Sequence, residues 1–211
     1  MREMQMPAGA SGYDVASRHA QVIGRGPRIE ALDDSEMSAE VREVVDRVRI
    51  SAGAGGAAIV PEYMRTMVKH PDLFRCQMEM GTVLFTGRIP PRERELAILR
   101  QAWLCGAPYE WGEHVRISQR YGVTPEEIER AIAGSAAPGW SEHDAAILRG
   151  VEELLSDYAV SDATWAVLAS SWDEAQMIEF PAMVGQYIVT AFVQNSLRCR
   201  LAEGNPGLSH R

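Results

Sequence analysis

Two side chains capable of acid/base chemistry lie four residues apart in the middle of the sequence. Glu110 and His114 belong to the segment YEWGEH, residues 109–114. If this segment is helical, residues four apart share one face, so the carboxylate can orient the imidazole. Such a pair can move a proton near neutral pH. The spacing predicts His114 as a general base or acid and Glu110 as its orienting or proton-sharing partner.

A second carboxylate, Glu95, precedes this segment by one predicted helix. It reaches the same place if the two helices pack as a hairpin around Gly106, so we predict it as a third catalytic residue. Tyr109, Trp111 and His70 are the candidates for a substrate pocket. In the competing interpretation these residues do no chemistry: the aromatic rings belong to the core, and His70, just before Pro71, is a helix-end cap.

The same interpretation makes Glu110 and His114 an exposed ion pair, worth only about 0.3–0.5 kcal/mol. It also places Glu95 in a solvated charge run, Arg92-Glu93-Arg94-Glu95. The discriminating observation is whether these side chains face a site or bulk water.

Metal and thiol chemistry compete with acid/base chemistry for the same residues. A Glu and a His four apart could supply two metal ligands, with His70 or Glu95 as a third, but the sequence has no His-Glu-x-x-His motif and no Cys/His cluster. It has no Gly-x-Ser-x-Gly elbow either. The cysteines do not form a Cys-x-x-Cys pair; they are Cys76, Cys105 and Cys199. We therefore predict a site without a metal or an organic cofactor.

The elements that position these residues are predicted to be helices. Apolar residues recur at helical spacing, strand-like alternation is almost absent, and helix-start and helix-stop residues punctuate the chain. The two central helices are predicted at about 92–104 and 109–121, separated by Pro108, which cannot continue a helical ladder. The predicted starts of the other helices are Ser38, Pro61, Pro71, Thr124, Ser141, Asp162 and Asp173.

Length and composition predict one domain. The chain has 211 residues, of which 46% are hydrophobic and 24% charged, which is ordinary globular usage. We expect a flexible N-terminal tail at 1–26, a helical domain at 27–205 and a C-terminal tail at 206–211. The net charge of −8 and the pI near 5.2 argue against binding to nucleic acid or an anionic membrane.

Three further features predict a cytoplasmic protein. No apolar segment is long enough to span a membrane. The first 26 residues lack the apolar centre of a secretory signal. An odd number of cysteines without paired spacing is typical of a reducing compartment.

The central segment resembles the carboxymuconolactone decarboxylase family. The resemblance rests on three stretches, namely RERELAIL at 92–99, YEWGEHVRI at 109–117 and GVTPEEI at 122–128. It extends from about Pro27 to Asn205. It implies the all-α alkylhydroperoxidase-like helical bundle, with an antiparallel helical hairpin as its core. It also implies a homo-oligomer (a trimer, dimer or hexamer) with active sites near subunit contacts.

The resemblance also implies roles for individual residues. In the peroxidase branch, a Glu is followed by Cys-x-x-Cys and then by a His; the Glu and the His match Glu95 and His114. The two cysteine positions fall on Ala107 and Glu110, so dithiol chemistry is unavailable at this place. The decarboxylase branch uses acid/base residues without a cofactor, and His114 matches its histidine. This chain is longer than the decarboxylases.

These observations together predict a cofactor-independent acid/base enzyme, a lyase or isomerase and possibly a decarboxylase. Its substrate would be a small organic acid, a lactone or an enolisable carbonyl compound. Two competing functions remain open: a thiol-independent relative of the antioxidant proteins with this fold, and a non-catalytic binding protein.

Overall fold

The computed structural model describes residues 13–39, 41–43, 45–46 and 60–211, and these residues contain helices and no strand. The all-α prediction is confirmed. Short 3₁₀ turns lie at Asp34–Glu36 and Gly207–Ser209, and further helical residues lie within 39–46. The helices are α1 (Val15–Ile23), α2 (Glu62–Met67), α3 (Pro71–Phe85), α4 (Pro91–Leu104), α5 (Pro108–Arg120), α6 (Pro125–Ala133), α7 (Glu142–Ser156), α8 (Asp162–Ala169) and α9 (Glu174–Leu197).

The helices begin where the side-chain chemistry predicts. Thr124 forms a capping box with Glu127 ahead of α6. The side chains of Ser141 and Asp173 accept backbone N–H groups at the starts of α7 and α9. These bonds satisfy donors that the first helical turn leaves without partners. The starts of helices are therefore encoded locally.

Helix α4 lies at the centre of the fold. It packs against α5, α6, α7 and α9, and all of its residues from 94 to 103 are buried. A helix that is covered on every side has no solvent face, so its polar residues must find partners inside the protein. This burial is what brings charged side chains of α4 into the interior.

Helices α4 and α5 form an antiparallel hairpin. The turn between them contains Gly106 with a φ of 52°, a left-handed conformation that a glycine adopts without strain. Near the turn, the rings of Trp103 and Trp111 lie 4.9 Å apart. Farther along, Glu95 meets His114. A residue near the start of α4 thus contacts the middle of α5.

The prediction of a flexible tail at residues 1–26 is wrong for the second half of that segment. Residues 15–23 form α1, which is capped by Asp14. The Tyr13 hydroxyl donates to the Trp103 carbonyl at 2.6 Å, and Arg18 Nε donates to the Gly106 carbonyl at 2.9 Å. Residues 1–12 of the predicted tail lie outside the described residues. The Gly- and Ala-rich composition of this region concealed a helix that packs on the α4–α5 turn.

The predicted C-terminal tail also packs against the fold. Leu208 is fully buried, and the His210 carbonyl accepts a hydrogen bond from Trp111 Nε1 at 3.0 Å. Asn205, just before this segment, presses against Gly112 so closely that a Cβ at Gly112 would meet its side chain. The segment therefore closes one side of α5. Among the described residues, no helix is long and apolar enough to cross a membrane.

Candidate active site

The centre of the candidate site is a buried pair formed by Glu95 of α4 and His114 of α5. Glu95 Oε2 lies 2.7 Å from His114 Nδ1, and the two residues are 0% and 8% exposed. Because a carboxylate only accepts hydrogen bonds, Nδ1 carries the proton and Nε2 is left as the basic nitrogen. Nε2 makes no hydrogen bond to any described residue, so it is free to exchange a proton.

Arg94 holds the other oxygen of Glu95. Its Nε and Nη2 atoms donate to Glu95 Oε1 at 3.0 and 2.8 Å. The Arg94 guanidinium lies over the Phe85 ring, 4.1 Å from the centroid, and faces the Tyr121 ring at 5.1 Å. A fully desolvated carboxylate needs such a cation to remain charged.

The sequence interpretation of this run as solvated helix surface is wrong for Arg94 and Glu95. They are 2% and 0% exposed, whereas Arg92 is only partly buried and pairs with Glu127 and Asp144. Alternating charges signal a solvated helix only when one face of that helix meets water. Helix α4 has no such face along these residues, so adjacent charges pair inside the protein.

Glu110 is the second acidic group, and it does not pair with His114. Glu110 is 2% exposed, and both of its carboxylate oxygens are buried without a hydrogen-bond partner among the described residues. Burial raises the pKa of this carboxyl well above its ordinary value. Burial therefore favours the neutral, protonated form of Glu110 over its carboxylate. The predicted Glu110–His114 pair is replaced by the Glu95–His114 pair.

Tyr187 of α9 completes the cluster, although no sequence signal predicted a role for it. Its ring meets the His114 ring edge-on, with centroids 5.1 Å apart and an interplanar angle of 87°. Desolvation raises the pKa of the Tyr187 hydroxyl, and the nearby Glu95 and Glu110 raise it further. The phenol stays protonated and can donate a hydrogen bond. A tyrosine 73 residues after His114 carries no local spacing that could have revealed this contact.

The three predicted substrate contacts lie in other surroundings. Trp111 is fully buried in the core beside Trp103. Tyr109 packs near Tyr63, with ring centroids 6.3 Å apart. His70 is exposed and caps α3, where its Nδ1 accepts the Leu73 N–H at 3.3 Å.

No hydrogen bond or ring contact joins His70, Tyr109 or Trp111 to His114 in the described part of the chain. None of the three lines the cavity of about 860 Å³ between α1 and α9. Their roles as substrate contacts stay predictions.

The structure also bears on the thiol and metal chemistry that the sequence left as alternatives. All three cysteines are free. Burial, followed by the nearby Glu110 charge, raises the pKa of Cys105 to about 12, which leaves almost no thiolate near neutral pH. Among the described residues, no group of three or more His, Cys, Asp or Glu side chains is arranged to hold a metal ion.

The sequence of residues 71–153 matches the model of the carboxymuconolactone decarboxylase family. This segment belongs to that family. It contains the whole α4–α5 hairpin with Glu95, Glu110 and His114. The family segment ends before α8 and α9, so Tyr187 comes from outside it. A comparison with curated proteins found no sequence match.

Solved structures show the fold over most of the chain. A peroxidase-related protein from Ralstonia eutropha JMP134 with the alkylhydroperoxidase AhpD core superposes with a TM-score of 0.71, at 16% identity over 84% of this chain and 93% of that chain. The debrominase Bmp8, solved in complex with 2,3,4-tribromopyrrole, gives a TM-score of 0.69 at 17% identity, over 83% of this chain and 92% of that chain. At these identities the likeness shows the alkylhydroperoxidase-like fold alone.

Proposed function

We propose that this carboxymuconolactone decarboxylase-like protein is an acid/base enzyme, a lyase or isomerase, that works without a cofactor. Its substrate is a small organic acid, a lactone or an enolisable carbonyl compound. One observation carries the proposal: a histidine held by a buried carboxylate shares its surroundings with a second buried carboxyl group, Glu110, whose neutral form is favoured by burial. Two carboxyl groups whose environments set them in opposite protonation states are the usual basis of paired acid/base roles.

His114 is the proposed base. Its Nε2 accepts a proton from a substrate carbon next to a carbonyl group, and the charged imidazolium that forms is stabilised by Glu95 at Nδ1. Arg94 holds Glu95 in position through two hydrogen bonds, so Arg94 is a positioning residue. Proton transfer at Nε2 requires the imidazole tautomer that carries its proton on Nδ1. The 2.7 Å contact between Nδ1 and Glu95 fixes this tautomer.

Glu110 is the proposed acid. A neutral carboxylic acid can return a proton to another atom of the substrate, as isomerisation or protonation of an enolate requires. Tyr187, whose hydroxyl stays protonated, is suited to donate a hydrogen bond to the developing oxyanion. Glu110 lies near enough to Tyr187 to raise the pKa of the phenol when the Glu110 carboxyl is ionised.

The rival functions lack comparable support. A thiol peroxidase needs a reactive thiolate, but Ala107 and Glu110 stand at the two cysteine positions implied by the resemblance, and the pKa of Cys105 is raised to about 12. A non-catalytic binding protein would have no use for a buried carboxyl group without a hydrogen-bond partner, which costs about 1–3 kcal/mol of stability.

The test is proton exchange at carbon. The protein is incubated in D₂O with a panel of small lactones, keto acids and other enolisable carbonyl compounds, and deuterium incorporation is followed by NMR. We expect enzyme-dependent exchange in at least one compound, lost in His114→Gln and Glu95→Gln. His143→Gln is the control, because His143 pairs with a different glutamate, Glu93. Exchange that persists in His114→Gln would exclude His114 as the base.

Self-association remains a further proposal. Large apolar side chains are exposed on α3 and α9, including Val83 at 68% and Ile178 at 73%. Exposed apolar residues on neighbouring helices favour contact with another subunit. Light scattering at micromolar concentration should show a homo-oligomer, and a monomer would contradict this proposal.

A further inference from the structure

A second feature lies apart from the acid/base cluster. A cavity of about 860 Å³ is formed by α1, the residues that follow it and the C-terminal end of α9. Neither Glu95, Glu110 nor His114 lines it. Its volume falls in the range of sites that hold a small-molecule ligand, roughly 300–1,000 Å³.

The lining of this cavity is rich in arginine. Arg18, Arg25, Arg28 and Arg198 all contribute, and none of the described lining residues is acidic. This concentration of positive charge occurs in a chain with a net charge of −8. Like charges brought together repel each other unless an anion compensates them. Desolvation, followed by the charges of Arg28 and Arg25, lowers the pKa of Arg198.

Two of the arginines are fixed by the protein. Arg18 donates to the carbonyls of Gly106 and Cys105 at 2.9 and 3.0 Å. Arg28 Nη1 donates to the Ser196 carbonyl at 3.0 Å. These bonds hold two guanidinium groups against the walls of the cavity and define its shape.

The other two arginines have free donors. Arg25 and Arg198 make no hydrogen bond or ion pair with any described residue. Arg198 also has a left-handed backbone, with φ 57° and ψ 49°, at a helix end where glycine or asparagine is usual. Residues held in such conformations cluster at ligand sites and switches. The protein thus keeps an arginine where glycine would be less strained.

We propose that this cavity binds a small organic anion that carries carboxylate or phosphate groups. Arg25 and Arg198 contact the anion directly, since the planar guanidinium fork matches both kinds of oxyanion. Arg18 and Arg28 supply fixed positive charge, and the Phe192 ring, also in the lining, packs against the carbon skeleton. The site is separate from the acid/base cluster and does not depend on the proposed function.

Isothermal titration calorimetry at constant ionic strength tests the proposal, with citrate and inorganic pyrophosphate as probes. We expect saturable binding of at least one probe to the wild-type protein. A response to citrate alone identifies a carboxylate site, and a response to pyrophosphate alone identifies a phosphate site. Affinity should fall at least about tenfold in the double variant Arg25→Gln/Arg198→Gln.

Two further variants make the result specific. Arg200→Gln is the matched control, because Arg200 is exposed, pairs with Glu30 and Glu62 and is not in the lining; it should bind like the wild type. Ala20→Trp places a large ring at the exposed wall of α1 and keeps every arginine. It should also weaken binding, and it tests the proposal if the double variant does not fold.

Three results would overturn the proposal. They are the absence of saturable binding of both probes to the wild type, undiminished binding in the double variant and in Ala20→Trp, and an equal loss in Arg200→Gln. In any of these cases the arginines serve only to complement the negative C-terminal end of α9.

Discussion

Helix α4 carries two glutamates, and each forms a similar pair with a histidine of another helix. Glu93 and Glu95 are two residues apart, and each contacts a histidine, His143 and His114 respectively. Each histidine ring meets an aromatic ring edge-on, at 5.3 and 5.1 Å. The surroundings of the two pairs differ, and the difference is the reason for proposing a site at one pair and not at the other.

The two pairs differ in burial and in which nitrogen is engaged. The Glu95–His114 contact is 2.7 Å, with side chains 0% and 10% exposed. The Glu93–His143 contact is 3.3 Å, with side chains 22% and 21% exposed. His143 uses Nε2, and its Nδ1 is buried without a hydrogen-bond partner in the part of the chain that the structure describes. His114 uses Nδ1 and leaves Nε2 available.

The neighbours of the two glutamates differ as well. Glu93 also accepts a hydrogen bond from Trp172 Nε1 at 2.7 Å, so its role is accounted for by packing α4 against the start of α9. Glu95 is held by a buried arginine, and Glu110, a second buried carboxyl group, lies close to the same tyrosine, Tyr187. Both histidines have one ring nitrogen without a hydrogen bond to a described residue, so a free nitrogen does not separate the two pairs. Burial of both partners and a second, unpartnered acid are what favour chemistry at the pair that Glu95 forms.

The largest expected effect is on stability. Glu95→Ala should lower the free energy of unfolding by about 3–5 kcal/mol, because it leaves the buried Arg94 without its counter-charge. Glu93→Ala is the matched variant and should cost less, about 1–3 kcal/mol, because that pair is partly exposed but Trp172 Nε1 loses its acceptor. Urea unfolding curves measure both. Equal losses would mean that burial does not distinguish the two pairs.

The positions of helices could be predicted because their signals are local. Capping residues such as Thr124, Ser141 and Asp173 satisfy backbone donors within three residues, so the sequence alone places the helix starts. Whether a charged side chain is buried depends on residues that are distant in the sequence. Arg94 and Glu95 are buried because four other helices surround α4, and no spacing within α4 reports on those neighbours.

Only some of the residues in the candidate site could be predicted from the sequence. Helical spacing and the resemblance identified Glu95, Glu110 and His114, and the structure brings Glu95 and His114 into contact. The partner of His114 was mistaken, because residues four apart on one helix can share a face without touching. Tyr187 could not be found, since its contact depends on how α9 packs on the hairpin.

The next expected effect is on catalysis. With the substrate that the exchange experiment identifies, His114→Gln should lower kcat by at least about 10²-fold, because the base is lost. His143→Gln should stay within about twofold of the wild type. Steady-state kinetics on both variants, with circular dichroism as the folding control, measure the difference. Similar rates in the two variants would remove the distinction between the pairs.

A smaller effect concerns the pH dependence of stability. The pKa of Glu110 is raised by burial in the folded protein, whereas in the unfolded chain it is near 4.5. Above that pH the unfolded chain releases a proton that the folded protein retains. Stability is therefore lost as pH rises towards the folded pKa, by about 1.4 kcal/mol per pH unit.

Glu110→Gln removes this dependence. Its free energy of unfolding, measured in urea from pH 4 to pH 8, should gain on the wild type progressively above the unfolded pKa of about 4.5. Parallel curves for the two proteins would show that Glu110 ionises in the folded state as it does in the unfolded chain. The acid role proposed for Glu110 would then have no basis.

The smallest expected effect tests whether Glu110 or the thiol of Cys105 supports chemistry beside the Glu95–His114 pair. Cys105 lies at the hairpin turn, its carbonyl binds Arg18, and Gln101 Nε2 donates to its sulfur at 3.2 Å. Because the pKa of Cys105 is raised to about 12, its thiolate is scarce at pH 7, and the thiolate is the reactive form. Cys105→Ser should therefore change kcat by no more than about twofold, as should Cys76→Ser at an exposed position.

Kinetics at pH 7 and peroxide turnover with a dithiol reductant measure the acid/base activity and the thiol activity of these variants. If Cys105→Ser alone removed activity while the fold stayed intact, the chemistry of this hairpin would belong to the thiol, and Glu110 would act by shifting its pKa rather than by supplying a proton.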